Sequence, residues 1–218
     1  MTSHGSENNS PRYQFLVDTY ETEIFKVLSV WSMFDDGDLP FRPHPTDARA
    51  RSVHEQMVHE CVSENLWFET MLDISVTHNP LPKHETRLEF IKRYRECAQE
   101  RLAILRSKND EWWAAETDFF EVRRSRAWII TRRMTHTAHH RGQQTTMLRM
   151  LNHDLHSTYG PTTDTGGLMQ NHAPVIYPYA DVPQLIAEES TTRHKAPLPG
   201  PGELAPTERP DSPAGAKP

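Results

Sequence analysis

The chain has 218 residues, a formal net charge of −6 and two cysteines. The acidic balance argues against a nucleic-acid or anionic-membrane partner, and two cysteines without CxxC spacing exclude a disulfide framework. A hydrophobic fraction of 36% and a mean hydropathy of −0.73 are low for one packed globule, so part of the chain is expected to lie outside the core.

Residues 1–11 are polar and lack the apolar segment of a secretory signal, and no apolar run approaches the length of a membrane span. A cytoplasmic, reducing setting is expected, with Cys61 and Cys97 as core residues rather than nucleophiles. Leu16, Tyr20, Ile24, Val27, Leu28 and Trp31 recur at helical spacing and predict a first helix over about residues 13–34. Residues 35–45 hold Gly37, Pro40, Pro43 and Pro45 and predict a loop. A second helix is expected from Thr46 or Ser52 to Ile74. Ser52 and Glu55 have capping-box spacing, and Thr46 before Asp47 is the competing start. Val53, Met57, Cys61, Phe68, Met71 and Leu72 form its apolar face.

Thr86 and Glu89 repeat the capping-box spacing and open a third helix to about Ser107, with Leu88, Ile91, Tyr94, Ala98, Leu102 and Leu105 as its seam. Asn109 and Asp110 are expected to end it, and Trp112 and Trp113 to plug one end of the fold. Residues 118–122 read as a short strand or an extended lead-in. A fourth helix is predicted over residues 124–151. Four helices with short connections predict an all-α antiparallel bundle. Beyond Asn152, residues 157–167 are turn-rich. Tyr177, Tyr179, Val182 and Leu185 offer enough apolar surface to pack on the bundle but not to build a second domain. From Lys195 onward the chain is rich in proline and glycine and has no aromatic residue, which predicts disorder. The expected plan is a bundle over 12–155, a packed extension over 156–190 and a disordered tail over 191–218. Truncation after about residue 194 is expected to leave stability nearly unchanged.

The fourth helix carries Met134-Thr-His-Thr-Ala-His-His-Arg-Gly-Gln-Gln144. His136 and His140 are four residues apart, about 40° from each other and one turn along the same face. Two imidazoles so stacked can converge on one metal ion, or can simply be polar groups on a solvated face. A bundle builds a metal site only when another helix contributes. The second helix offers His54 and His59, which are five apart and about 140° apart in angle, so at most one faces the site. The string His-Glu-Gln-Met-Val-His therefore lacks the HExxH spacing of a zinc-protease helix.

His59, followed by Glu64 and Trp67, and the later His136-Thr-Ala-His-His140-Arg-Gly-Gln143 together resemble the DinB/YfiT-like superfamily, over about residues 12–155. The resemblance implies an up-down-down-up four-helix bundle with a C-terminal extension that the family does not explain. It implies metal ligation by His59, His136 and His140, with His139 left off the metal. Three neutral imidazoles leave a divalent ion with open positions, as catalytic sites do. Zinc or nickel is expected, although imidazole also suits copper and iron.

The resemblance further implies a metal-dependent transferase or isomerase that uses a low-molecular-weight thiol. The alternatives are a metal-dependent hydrolase and a non-catalytic, stress-related metal-binding protein. A small-molecule substrate is expected, nucleic acid and membrane are not, and a homodimer is compatible with these features. Gln143 is expected to orient a bound ligand or to cap a backbone group. Arg132 or Arg133 is expected to bind a substrate carboxylate, and most other arginines of the fourth helix to pair with Glu96 and Glu100. Tyr159, Asp164 or His156 either folds back over the open face of the metal or belongs to a plain connection.

Overall fold

The structure, a computed structural model, describes residues 11–203, 205 and 207. The expected N-terminal arm, apart from Pro11, and most of the expected tail beyond 203 lie outside the described residues. The chain is mostly helical, with one small two-stranded sheet. α1 (Gln14–Met33) buries Leu16, Tyr20, Ile24, Val27, Leu28 and Trp31 at the expected spacing. α2 (Val53–Leu72) starts at Ser52, where Ser52 and Glu55 form the capping box. It stops at Asp73, whose left-handed backbone turns its N–H back to the Phe68 carbonyl. Of the two competing starts Ser52 wins, because its hydroxyl meets an otherwise orphaned amide of the first turn. α3 (Arg87–Arg106) is capped by Thr86.

Asn109 does not merely end α3. It caps a further turn, α4 (Asp110–Ala114), which places Trp113 in the core. The extended lead-in is a hairpin, β1 (Glu116–Phe119) and β2 (Val122–Ser125), with Glu116 opposite Ser125 and Phe119 opposite Val122. Its two-residue turn requires left-handed backbone, which Phe120 adopts at φ 52°. Ser125 ends the hairpin and caps α5 (Arg126–Met150).

α1 packs on α3 and α5, and α2 packs on the same two. Trp31, Phe34, Phe68, Phe90 and Met57 fill the space between them. α3 and α5 are therefore not principal neighbours, and the expected pairing of α5 arginines with Glu96 and Glu100 does not occur. Glu96 pairs with Arg93 of its own helix, and Glu100 meets Thr77 and His78. The α5 arginines turn to α2 and α1 instead. Arg133 Nη2 donates to Glu60 at 2.9 Å, and Arg141 pairs with Glu23. No helix among the described residues is long and apolar enough to cross a membrane, and both cysteines are free and buried.

The extension adds α6 (Val182–Glu189), which docks on α1 and α3. Glu189 is buried and receives Arg87 of α3 at 2.5 Å, the Tyr179 hydroxyl at 2.5 Å and Lys195 at 3.4 Å. Residues 191–203, expected as the start of a disordered tail, make specific contacts. Arg193 donates to Asp35 and to the Ser32 and Phe34 carbonyls at the end of α1. The Ala196 amide donates to the Pro178 carbonyl, and the Gly200 amide to that of Asp164. A Cβ added at Gly202 would lie 2.4 Å from the Gly166 carbonyl oxygen, so only glycine permits that approach. Proline removes donors but does not prevent a segment from docking through its remaining carbonyls and side chains.

Arg193 satisfies carbonyls that the end of α1 leaves without intrahelical partners. Arg193→Ala is therefore expected to lower unfolding stability by about 1–3 kcal/mol. An unchanged denaturation midpoint would show that this segment does not dock in solution.

Candidate metal centre

α2 and α5 lie side by side, and their facing sides bring His59, His136 and His140 together. One ring nitrogen of each lies within 4.8 Å of the other two. Ring centroids are 4.6 Å apart for His59 and His140, 5.5 Å for His59 and His136, and 4.6 Å for His136 and His140. His54, about 140° round α2 from His59, points elsewhere: it meets Glu85 and the edge of Phe90. His139 is exposed and bonds Gln143 through Nε2.

Two of the three rings are held from behind. His140 Nδ1 lies 2.8 Å from Gln56 Oε1 and 3.0 Å from Gln143 Oε1, and the Gln56 amide in turn donates to Gln143 Oε1 at 3.0 Å. Two acceptors at Nδ1 place the His140 proton there and leave Nε2 bare. Arg133 Nη1 lies 3.1 Å from His136 Nδ1 and 2.8 Å from Ser63 Oγ. His136 Nε2 faces His140 Nε2 at 2.9 Å, so the Nε2 atoms of these two rings are the ones that point into the site. Trp67 stacks on His136 with centroids 5.8 Å apart and planes 22° from parallel.

Burial holds all three imidazoles neutral. It pushes His136 down to about 3, aided by the Arg133 guanidinium, and His140 down to about 4, aided by His59. His59 is lowered by burial, then by Arg51 and Arg133. On the inner side of His140, Glu60 Oε2 accepts from Arg133, while Oε1 is buried, has no hydrogen-bond partner among the described residues and lies 3.9 Å from His140 Nε2. Burial raises the Glu60 carboxyl to about 7 against the pull of Arg133. Neutral, converging imidazoles with oriented rings suit a divalent ion. Small ring rotations bring the nitrogens within the span of ligands at about 2.0–2.1 Å from one centre.

A cavity of about 490 Å³ opens onto the triad, walled also by Arg51, Arg132, His139 and Gln143. A larger recess of about 580 Å³ lies near the end of α1, beside Asp35, His153, His156, Arg193 and Lys195. Asp35, Asp38 and His153 there form a second group with metal-ligand spacing. Their donors are already engaged, Asp35 by Arg193 and Asp38 by His153 at 2.7 Å, so the smaller cavity is the better candidate.

Of the other expected site residues, Gln143 orients His140 rather than capping backbone. Arg132 lines the cavity, but Arg133 is 1% exposed and committed to Glu60, so it does not face a substrate. Tyr159 and Asp164 do not come to the triad. Tyr159 is 82% exposed with Lys26 against its ring, and Asp164 is tied to Arg149 and the Leu155 amide at 2.6 Å. His156 Nε2 meets the Ala196 carbonyl at 2.8 Å. Gln56, Glu60 and Arg51 carry no sequence signal that marks them. Only their place on α2 relative to His59, or just ahead of its cap, was visible.

The DinB family model matches residues 23–170. The structure is similar to that of a DinB-like protein from Bacillus cereus, at 17% identity and a TM-score of 0.53, covering 65% of this chain and 92% of that one. It is also similar to a DinB-like protein from Bacillus subtilis, at 14% identity and a TM-score of 0.49, covering 65% and 94%. No curated protein matches the chain significantly.

Alanine at His59, His136 or His140 is expected to abolish stoichiometric divalent-metal binding, measured by elemental analysis after dialysis, while His54→Ala and His139→Ala retain it. Retention by His59→Ala together with loss by His54→Ala would place the α2 ligand wrongly. Depressed imidazole pKa values mean that protons compete with the metal only at low pH. Affinity should therefore fall only at a pH below the ordinary imidazole value of about 6.5, instead of near it. A chelator competition series across pH separates the two.

Proposed function

The chain belongs to the DinB family, and we propose that it is a metal-dependent enzyme. Its divalent ion, zinc or nickel, is held by His59, His136 and His140, and its reaction is a transfer or isomerisation that uses a low-molecular-weight thiol. The single observation that carries this reading is the cavity of about 490 Å³ onto which all three imidazoles open. A structural site is closed by protein side chains, and this one has an approach from solvent. The helix contacts support the up-down-down-up four-helix bundle of the family for α1, α2, α3 and α5.

A divalent ion bound there supplies Lewis acidity, which lowers the pKa of a thiol or water and stabilises developing negative charge. The protein's own groups do the rest. Gln56 and Gln143 fix the His140 ring and its tautomer, and Arg133 and Trp67 fix the His136 ring. Glu60, on the inner side of His140, pairs with Arg133 and so helps to hold that guanidinium against His136.

The hydrolase alternative needs an acid or base facing the cavity. Glu60 does not line it, and His139, which does, is exposed and bonded to Gln143. The non-catalytic alternative is disfavoured by the open approach.

Metal analysis of untagged protein, followed by cobalt substitution and titration with thiols, tests the proposal. One ion per chain is expected, with a sulfur-to-cobalt absorption band that appears on adding thiol and is absent in His140→Ala. One ion with ester hydrolysis and no thiol response would favour the hydrolase. One ion with neither would favour a binding protein, and no ion would overturn all three readings.

A further inference from the structure

The cavity over the triad has an unbalanced charge. Its charged walls are Arg51 and Arg132, and no carboxylate lines it. This occurs in a chain whose net charge is −6. Neither arginine has a carboxylate partner among the described residues; Arg132 makes only a 3.5 Å contact with the Thr135 hydroxyl. Other arginines nearby are satisfied: Arg133 by Glu60, Arg101 by Glu64 and Arg141 by Glu23. The two guanidiniums come from different elements, Arg51 from the loop just ahead of the α2 cap and Arg132 from the exposed side of α5, so they approach the triad from separate directions.

Arg51 and Gln143 are also shared with an adjoining chamber of about 310 Å³, whose other walls include Pro43, Ala50, Thr146 and Met147. One chamber faces the imidazoles, the second is partly apolar, and Arg51 and Gln143 form part of the wall of both. Three neutral imidazoles bring no negative charge to a divalent ion, and the nearby Glu60 is already paired with Arg133. Compensation has to come from the ligand.

We propose that this site takes a small molecule bearing at least one carboxylate or phosphate group in addition to the donor that faces the imidazoles. Arg51 and Arg132 hold that oxyanion, and the apolar remainder of the molecule enters the chamber beside Met147. The assignment rests on the metal-site reading above and narrows its substrate class. Guanidinium suits the role because its fork of donors matches the oxygens of a carboxylate or phosphate. Arg51 is here a specificity-determining residue, and Arg132 shares the work.

The cobalt-substituted protein is titrated with 3-mercaptopropionate and with its neutral counterpart 3-mercaptopropanamide, following the visible spectrum. The wild-type protein is expected to bind the carboxylate at least about tenfold more tightly, the size of effect one charge-assisted contact gives. Arg51→Met with Arg132→Met should reduce that preference to about twofold or less. Both side chains are exposed, so metal content and helical circular dichroism should not change. Arg51→Lys should restore part of the preference, because charge returns without the fork.

Equal binding of the two thiols by the wild type, or a preference that survives in the double variant, overturns the oxyanion site while leaving the thiol reading intact. If neither thiol shifts the spectrum, succinate is titrated calorimetrically. Succinate binding that disappears in the double variant keeps the oxyanion site and removes the thiol. If no ion is retained, the same succinate titration on metal-free protein decides the oxyanion site alone, and absence of binding overturns it.

Discussion

Glu64 is a carboxylate buried in the middle of four helices, and the other three long helices all reach it. It accepts the Tyr20 hydroxyl of α1 at 2.6 Å and the Tyr94 hydroxyl of α3 at 2.9 Å. Arg101 of α3 stands at 3.3 Å and Arg133 Nε of α5 at 3.8 Å. A buried charge of this kind is poor evidence for stability, since its desolvation offsets most of the attraction. Its consequence is register. Removing one partner leaves another charge stranded, at a cost of about 3–5 kcal/mol, so sliding any helix by a turn is penalised in a way that an oily core would not penalise it. The same burial raises the hydroxyl pKa of Tyr20 and Tyr94 well above the ordinary phenol range, so both remain donors.

The candidate metal centre inherits that register. Glu60 lies one turn before Glu64 on α2, and both address Arg133. Arg133 also donates to Thr137, Ser63 and His136 Nδ1. One guanidinium thus connects the core network to a ring of the triad. His140 is tied to α2 through Gln56, and Trp67 of α2 lies flat against His136. The motif of His59, Glu64 and Trp67 now has a physical content for each member. His59 faces the site, Glu64 sets the height of the helices, and Trp67 supports a ring on the neighbouring helix. Neutral imidazoles beside positive arginines follow from the same packing, because burial penalises the charged ring and the guanidiniums add repulsion.

The extension packs on α1 and α3 through α6 and the segment after it. Buried Glu189 gathers Arg87, Tyr179, Arg193 and Lys195, and Arg193 closes the carbonyl end of α1. Burial pushes Lys195 down even with Glu189 beside it, and lifts the Tyr179 hydroxyl. The extension is thus joined to α1 and α3, and its loop residues Tyr159 and Asp164 are spent on contacts of their own rather than on the triad.

The sequence by itself determined the four long helices, because apolar residues at helical spacing and capping residues such as Ser52 and Thr86 act over a few residues. It also determined that His136 and His140 share a face and that His139 does not, since helical geometry alone sets those angles. The family motif pointed to His59. Only the tertiary structure decided which helices are neighbours. That arrangement sent Arg133 and Arg141 to Glu60 and Glu23 instead of to α3, and it removed Arg133 from the set of substrate-facing groups. It also decided the roles of Gln56, Glu60 and Arg51, whose side chains have no local pattern. They matter through what a second helix places opposite them. Local order was readable because its interactions span one turn of chain. The site was only partly readable because many of its contacts join α2 to α5, residues far apart in the chain, such as Gln56 and His140 at a separation of 84.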